Sequence, residues 1–86
     1  MVFNQGEVRK IGIEVMSEIQ QDFVIESADY EISNQRGEIV ETGVATIEEH
    51  KILTLFSAIE KGRWCCEFTY RIGPEIIKAK LSIAVI

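Results

Sequence analysis

The chain is poor in the residues that build most recognisable sites. Of its 86 residues, one is histidine, one is proline and two are cysteine. With His50 as the single histidine, no Ser–His or Cys–His pair forms from neighbours in sequence. Cys65 and Cys66 are adjacent, and adjacent side chains on a strand point to opposite faces, so a bond between them requires strained geometry. The chain therefore has no ordinary disulfide, and two sulfurs fall short of a zinc ligand set. Unpaired cysteines point to a protein made and kept in a reducing compartment, so a cytoplasmic location is expected. Neither G-x-G-x-x-G nor a Walker pattern occurs. No apolar run approaches the ~20 residues needed to cross a bilayer. The opening M-V-F-N-Q-G-E has neither a basic nor an apolar segment of the signal-peptide kind. No membrane partner, cofactor or metal is expected.

What is present describes one folded domain spanning residues 1–86. Hydrophobic residues make up 47% and charged residues 27%, the balance of an ordinary soluble fold. At this length only about 60–65% of the unfolded surface is buried, so the core is modest. The net charge of −5 is unevenly distributed. Residues 1–60 hold 12 acids and 4 bases, a net of −8, whereas residues 61–86 hold 2 acids and 5 bases, a net of +3. An acidic chain without a basic cluster is a poor nucleic-acid binder. The asymmetry reads instead as an acidic first part lying beside a basic C-terminal hairpin.

That hairpin is the clearest feature of the sequence. Trp64, Cys66, Phe68, Tyr70 and Ile72 alternate with Arg63, Cys65, Glu67, Thr69 and Arg71. After Gly73-Pro74, Ile77, Ala79, Leu81, Ile83 and Val85 alternate with Lys78, Lys80, Ser82 and Ala84. Period-two alternation makes each run a half-buried strand, and the turn makes the pair antiparallel. If Ile72 pairs with Glu75, then Tyr70 faces Ile77, Phe68 faces Ala79, Cys66 faces Leu81 and Trp64 faces Ile83, all inward. Glu67 faces Lys80 on the other side. A slip of one residue would drive lysines into the core.

The remainder reads as short strands. Residues 1–6 are a lead-in. Residues 7–16 form a first strand, with a change of parity between Val8 and Ile11 that predicts a bulge near Arg9-Lys10. Residues 17–21 read as a connection with room for a helical turn. Residues 22–33 are strand-like throughout, with parity flipping at Ser27. Asn34-Gln35-Arg36-Gly37 is a turn by composition. Residues 38–42 return as a strand, Gly43 breaks it and residues 44–47 resume, with Ile39 and Val40 competing for the inward position. Residues 46–61 support two readings. Thr46 and Glu49 form a capping box, and Ile52, Leu55, Phe56 and Ile59 follow helical spacing, with Gly62 as a stop. Alternatively, residues 51–59 form a strand in which Leu53, Leu55 and Ile59 share a face with Ser57, preceded by a turn at Glu48-Glu49-His50. The strand agrees better with the 8–12-residue spacing of the other elements.

Candidate sites are few. Consecutive strand residues diverge, so Glu48, Glu49 and His50 make a weak chelate. Cys65, on the outward face, is the one thiol open to reaction, with Arg63 and Lys80 as neighbouring cations. Aromatics are missing from the basic outward face, which argues against a nucleic-acid stacking sheet. That face, formed by Arg63, Glu67 and Arg71 with Lys78 and Lys80, is the candidate protein-contact surface. No catalytic residues are assigned, and no enzyme activity or small-molecule substrate is expected.

Glu60-Lys61-Gly62-Arg63-Trp64-Cys65-Cys66 resembles the D-x-G-x-Y-x-C signature of immunoglobulin domains, with Glu60 for Asp, Trp64 for the corner Tyr and Cys66 for the strand-F cysteine. The second cysteine of that family is absent; Phe23 and Ile25 occupy the region assigned to its strand. The resemblance implies an all-β, disulfide-free immunoglobulin-like or fibronectin-like sandwich of about seven antiparallel strands. A longer stretch, A-D-Y-E-I-S-N-Q-R-G-E-I-V-E-T-G-V-A-T-I from Ala28 and K-G-R-W-C-C-E-F-T-Y-R-I-G-P-E-I-I-K-A-K from Lys61, is similar to small immunoglobulin-like proteins of phage and prophage structural gene clusters. It implies a non-catalytic structural or adhesion module, virion- or tail-associated and made in the host cytoplasm, whose partners are other proteins or copies of itself. The alternative is a scaffold or regulatory protein-binding module unrelated to phages.

Overall fold

The computed structural model describes residues 1–16 and 22–86. Among them there is no helix, and eight strands form two sheets. These are β1 (Val2–Phe3), β2 (Val8–Glu14), β3 (Ser27–Ser33), β4 (Ile39–Val44), β5 (Thr46–Glu48), β6 (Lys51–Ser57), β7 (Gly62–Ile72) and β8 (Glu75–Val85). One sheet runs β1-β8-β7-β3-β4, and the other runs β2-β6-β5. The proposed connection at residues 17–21 lies outside the described residues.

The β7–β8 hairpin sets the length of the molecule. Eleven residues at ~3.3 Å each span about 36 Å, close to the longest dimension of 40 Å. The register is the one the alternation requires: Tyr70 pairs with Ile77, Phe68 with Ala79, Cys66 with Leu81, Trp64 with Ile83 and Glu67 with Lys80. Gly73 turns the chain at φ +56°, a conformation that costs a residue without Cβ little. Trp64, Cys66, Phe68 and Tyr70 are all buried, as are Ile83 and Val85 on the partner strand.

The smaller sheet covers this row. Ile11 from β2 and Ile52 and Phe56 from β6 are buried against it. Phe56 meets Trp64 edge-on at 5.7 Å between ring centroids and Phe3 edge-on at 5.4 Å, which ties the two sheets together at one end. The Trp64 indole N–H donates to the carbonyl of Glu60 at 3.0 Å, so its one polar atom is satisfied although the ring is buried.

Several expectations are corrected. The lead-in is a strand: β1 lies parallel to the end of β8, Val2 beside Ala84 and Phe3 beside Val85, and Phe3 is fully buried. It raises the count from about seven strands to eight. No bulge occurs near Arg9-Lys10, because β2 pairs with β6 without a shift from Val8 to Glu14. Val8 is exposed, and Arg9, on the same parity as Ile11, stays exposed too, its guanidinium 4.6 Å from the centre of the Phe3 ring at the rim of the core. Residues 22–26 are not strand; β3 begins at Ser27, where the parity flips. Gly43 does not break β4, which runs to Val44, and the interruption falls at the buried Ala45, whose N–H donates to the Ala28 carbonyl. The contest between Ile39 and Val40 has no winner. The pairing passes from Ile32–Glu41 to Ser33–Ile39, leaving Val40 as the extra residue, and both side chains are exposed.

Residues 51–57 are strand, as the spacing of the other elements favours. The inward set, however, is Ile52 and Phe56, while Leu55 and Ile59 are exposed. The turn is shorter than expected, because Glu48 pairs with Lys51 and only Glu49 and His50 connect them. The capping box is overridden: Thr46 pairs with Leu53, and Glu49 takes φ +55° at the hairpin tip. Seven residues of pairing with β2 outweigh a local cap worth about 0.5–2 kcal/mol.

Two substitutions test this core. Trp64→Ala is expected to lower stability by about 3–5 kcal/mol in a denaturant titration, because it empties the junction of Phe56 with β7; a loss below about 1 kcal/mol would show that the side chain is not buried. Gly12→Ala drives a Cβ into the Ile52 carbonyl oxygen and the Leu53 side chain lying over Gly12, inside van der Waals contact with both. The expected loss is about 1–3 kcal/mol by the same titration, and an unchanged midpoint would contradict the close approach of β2 and β6.

Candidate functional site

The outward face of the five-stranded sheet follows from the core. Because even-numbered residues of β7 point inward, Arg63, Cys65, Glu67, Thr69 and Arg71 point outward, and Ile76, Lys78, Lys80 and Ser82 of β8 lie beside them. The five candidate contact residues therefore share one face, but they do not form one cluster. Glu67 is held between two lysines, 3.7 Å from Lys78 Nζ and 4.0 Å from Lys80 Nζ. Lys80 is its direct cross-strand partner, yet the diagonal Lys78 approaches closer. Arg71 sits at the hairpin end, 3.6 Å from Glu26, and its Nε donates to the Gly73 carbonyl at 3.0 Å. Arg63 lies eight residues away on the same strand, roughly 26 Å at 3.3 Å per residue, where its backbone N–H donates to Gln35 Oε1. The arginine and lysine partners are largely exposed, so each pair stabilises by only about 0–1 kcal/mol.

The sequence did not disclose which strands form the edges. In the β7–β8 hairpin, odd-numbered residues of β8 turn their amides toward β7. Even-numbered residues turn theirs the other way, and accordingly the Ala84 and Ile86 N–H groups donate to Met1 and Phe3 of the β1 segment. β1 covers only Ala84 and Val85. Along the nine preceding residues, Glu75 to Ile83, the outer side of β8 meets no strand among the described residues, and the amides of Ile76, Lys78, Lys80 and Ser82 face outward. β4 is the opposite edge, with Ile39, Val40 and Val44 exposed along it. Where β4 leaves the sheet, the Tyr30 ring lies 3.0 Å from the position a Gly43 Cβ would take. The Tyr30 hydroxyl donates to Glu41 Oε2 at 2.6 Å, and that bond raises its pKa above the usual phenol value.

The remaining candidates have structural employment. Glu14, Glu48, Glu49, His50 and Lys51 line an open concavity of about 250 Å³. The His50 ring stacks on Phe23 at 4.1 Å between centroids, and its Nε2–H donates to the Phe23 carbonyl at 3.2 Å. The histidine thus holds the segment before β3 against the β5–β6 turn. Among the described residues no group of three or more His, Cys, Asp or Glu side chains is arranged to hold a metal ion. Both cysteines are free. Burial, with smaller contributions from Cys65 and Glu41, pushes the Cys66 thiol up to about 12, so it stays protonated and unreactive at neutral pH. Cys65 lies half-buried on the outward face.

No protein-family model, curated protein or solved structure matches the chain.

A thiol titration reads the two faces directly. With a small aromatic disulfide reagent at neutral pH, one equivalent per chain is expected from the folded protein, from Cys65, and two after denaturation. Two fast equivalents from the folded state would mean that Cys66 is not sealed in the core.

Proposed function

We propose that the chain is a non-catalytic structural or adhesion module of a phage or prophage particle, folded as an immunoglobulin-like sandwich and acting through protein–protein contacts. The open edge of β8 carries the functional half of this reading. A run of outward-facing backbone donors and acceptors accepts an added strand, and main-chain pairing of that kind supplies affinity without a deep pocket. Cys66 is sealed by burial, and His50 is engaged by Phe23.

The immunoglobulin-like half rests on order and on one corner. Strands β2-β6-β5 follow the B-E-D order of that fold, and β8-β7-β3-β4 follow G-F-C-C′. The Trp64 indole bonds back to Glu60, four residues upstream, as the corner tyrosine hydroxyl does in immunoglobulin domains. In this reading β2 stands as strand B, with Ile11 buried in the core and Ile13 packed against it, rather than the segment with Phe23 and Ile25. An isoleucine-lined position there fits a sandwich held by packing alone.

The test is the protein content of purified particles. Particles produced by a host carrying the gene are expected to contain the chain in fixed proportion to the major structural proteins. Its recovery only in the particle-free fraction would overturn the reading and turn attention to the cytoplasmic scaffold alternative.

A further inference from the structure

The two edges of the five-stranded sheet differ in charge, and the difference runs along continuous rows. One row across the outward face is Val44, Asp29, Thr69 and Lys78, and the next is Thr42, Glu31, Glu67 and Lys80. Both begin at the β4 edge with an acid one strand in, and both end at the β8 edge with a lysine. Asp29, Glu31, Lys78 and Lys80 are all exposed.

The backbone pattern at the two edges also matches. On β8 the outward-facing amides belong to even-numbered residues, Lys78 and Lys80 among them. On β4 the amides of residues 41, 43 and 45 turn toward β3, since the Ala45 N–H donates to the Ala28 carbonyl, which leaves those of Thr42 and Val44 facing outward. On both edges the residues with free amides carry their side chains on the same, outward face of the sheet. Directions agree too. Successive antiparallel pairings of β4, β3, β7 and β8 leave β4 and β8 running in opposite senses. A second copy displaced across the sheet therefore presents its β4 antiparallel to the first copy's β8.

We propose that copies of this chain associate head to tail, the β4 edge of one adding to the open part of β8 of the next, with Val44 opposite Lys78 and Thr42 opposite Lys80. This deepens the proposed structural role, on which it rests. Six residues of β4 fit within the nine left open on β8 by β1. The lysines of one copy then lie in the same rows as Asp29 and Glu31 of the next, with one strand between them at about 10 Å, near enough for opposite charges to attract at low ionic strength. The symmetrical alternatives lack this match. Pairing two β8 edges about Ala79 sets Lys78 against Lys80 in both directions, and pairing two β4 edges leaves acidic rows on both sides with no lysine to meet them. A contact between two different patches does not use itself up in a dimer; it continues into a filament or closes as a ring.

Light scattering over a broad concentration range at low ionic strength tests the contact, with a second series at high salt, where screening weakens it. The wild-type mass is expected to rise past that of a dimer. Lys78→Glu with Lys80→Glu, and separately Asp29→Lys with Glu31→Lys, are each expected to remain monomeric, while an equimolar mixture of the two variants assembles again. These positions are exposed, and fluorescence of the buried Trp64 reports that each variant is folded. A wild type that stays monomeric, a mass that stops at the dimer, or an Asp29/Glu31 variant that assembles like wild type would overturn the proposal. The particle test above is independent of this result, since a monomer can still be a particle protein bound to a different partner.

Discussion

The structure depends on the alternation of one central strand. β7 is paired along its whole length by β8 on one side and from Cys65 to Arg71 by β3 on the other, and its inward row of Trp64, Cys66, Phe68 and Tyr70 is buried. Burying each large side chain of such a row contributes roughly 1.5–3 kcal/mol, so the row dominates a core this small. The second sheet has no comparable row. Its strands are short, and it is held by the few residues it lays across β7, Ile11, Ile52 and Phe56. The same alternation that buries the aromatics presents Arg63, Glu67 and Arg71 to solvent, so core and candidate surface are two consequences of one register.

What was legible in the sequence is what period two and a single turn can specify. The β7–β8 register and the Asn34–Gly37 turn follow from local patterns, whereas the strand reading of residues 51–59 rests on the spacing of the other elements and takes the wrong residues as its shared face. In that turn the Asn34 Oδ1 accepts from the N–H groups of Arg36 and Glu38, which is the reason asparagine suits the position. What was not legible depends on partners far along the chain. β1 is two residues long and has no period to read; it exists because Phe3 fills a site beside Val85 and Phe56. The parity change at Val8 suggests a bulge, yet β2 pairs without a shift: its first three residues are all exposed, and Arg9, on the parity of Ile11, lies over the edge of the core at the Phe3 ring. The capping box at Thr46 was a genuine local signal that lost to cross-strand pairing. The contact face was legible residue by residue, but the edges were not, since an edge is defined by sheet order.

The charge asymmetry was visible in composition, but its disposition was not. An acidic first part beside a basic hairpin would be expected to neutralise itself, and the structure does this only in part. Arg71 reaches Glu26, while Lys78 and Lys80 find their acid within their own hairpin, at Glu67. Asp29 and Glu31 lie on β3, separated from the lysines by the width of β7. Glu31 and Glu67 are in fact cross-strand neighbours, a like-charge pair that the two lysines beyond offset. The sheet therefore keeps a charge gradient across its face rather than a uniform mixture.

Lysines on an edge strand are a common way to keep that edge from pairing with other chains. Here they act selectively. They make β8 a poor partner for another β8, whose lysines would stand opposite, and they leave its backbone available to a strand with acids behind it. β4 is such a strand: its own exposed residues are largely apolar or neutral, and the nearest outward charges on β3 are Asp29 and Glu31. At the far end of β8, β1 already shows that this backbone accepts a strand, since Met1, Phe3 and Gln5 exchange hydrogen bonds with Ala84 and Ile86. Edge protection is thus not a property of lysine alone. It depends also on which charges stand one strand behind the incoming edge, and in this sheet that condition favours the directional pairing over the symmetrical ones.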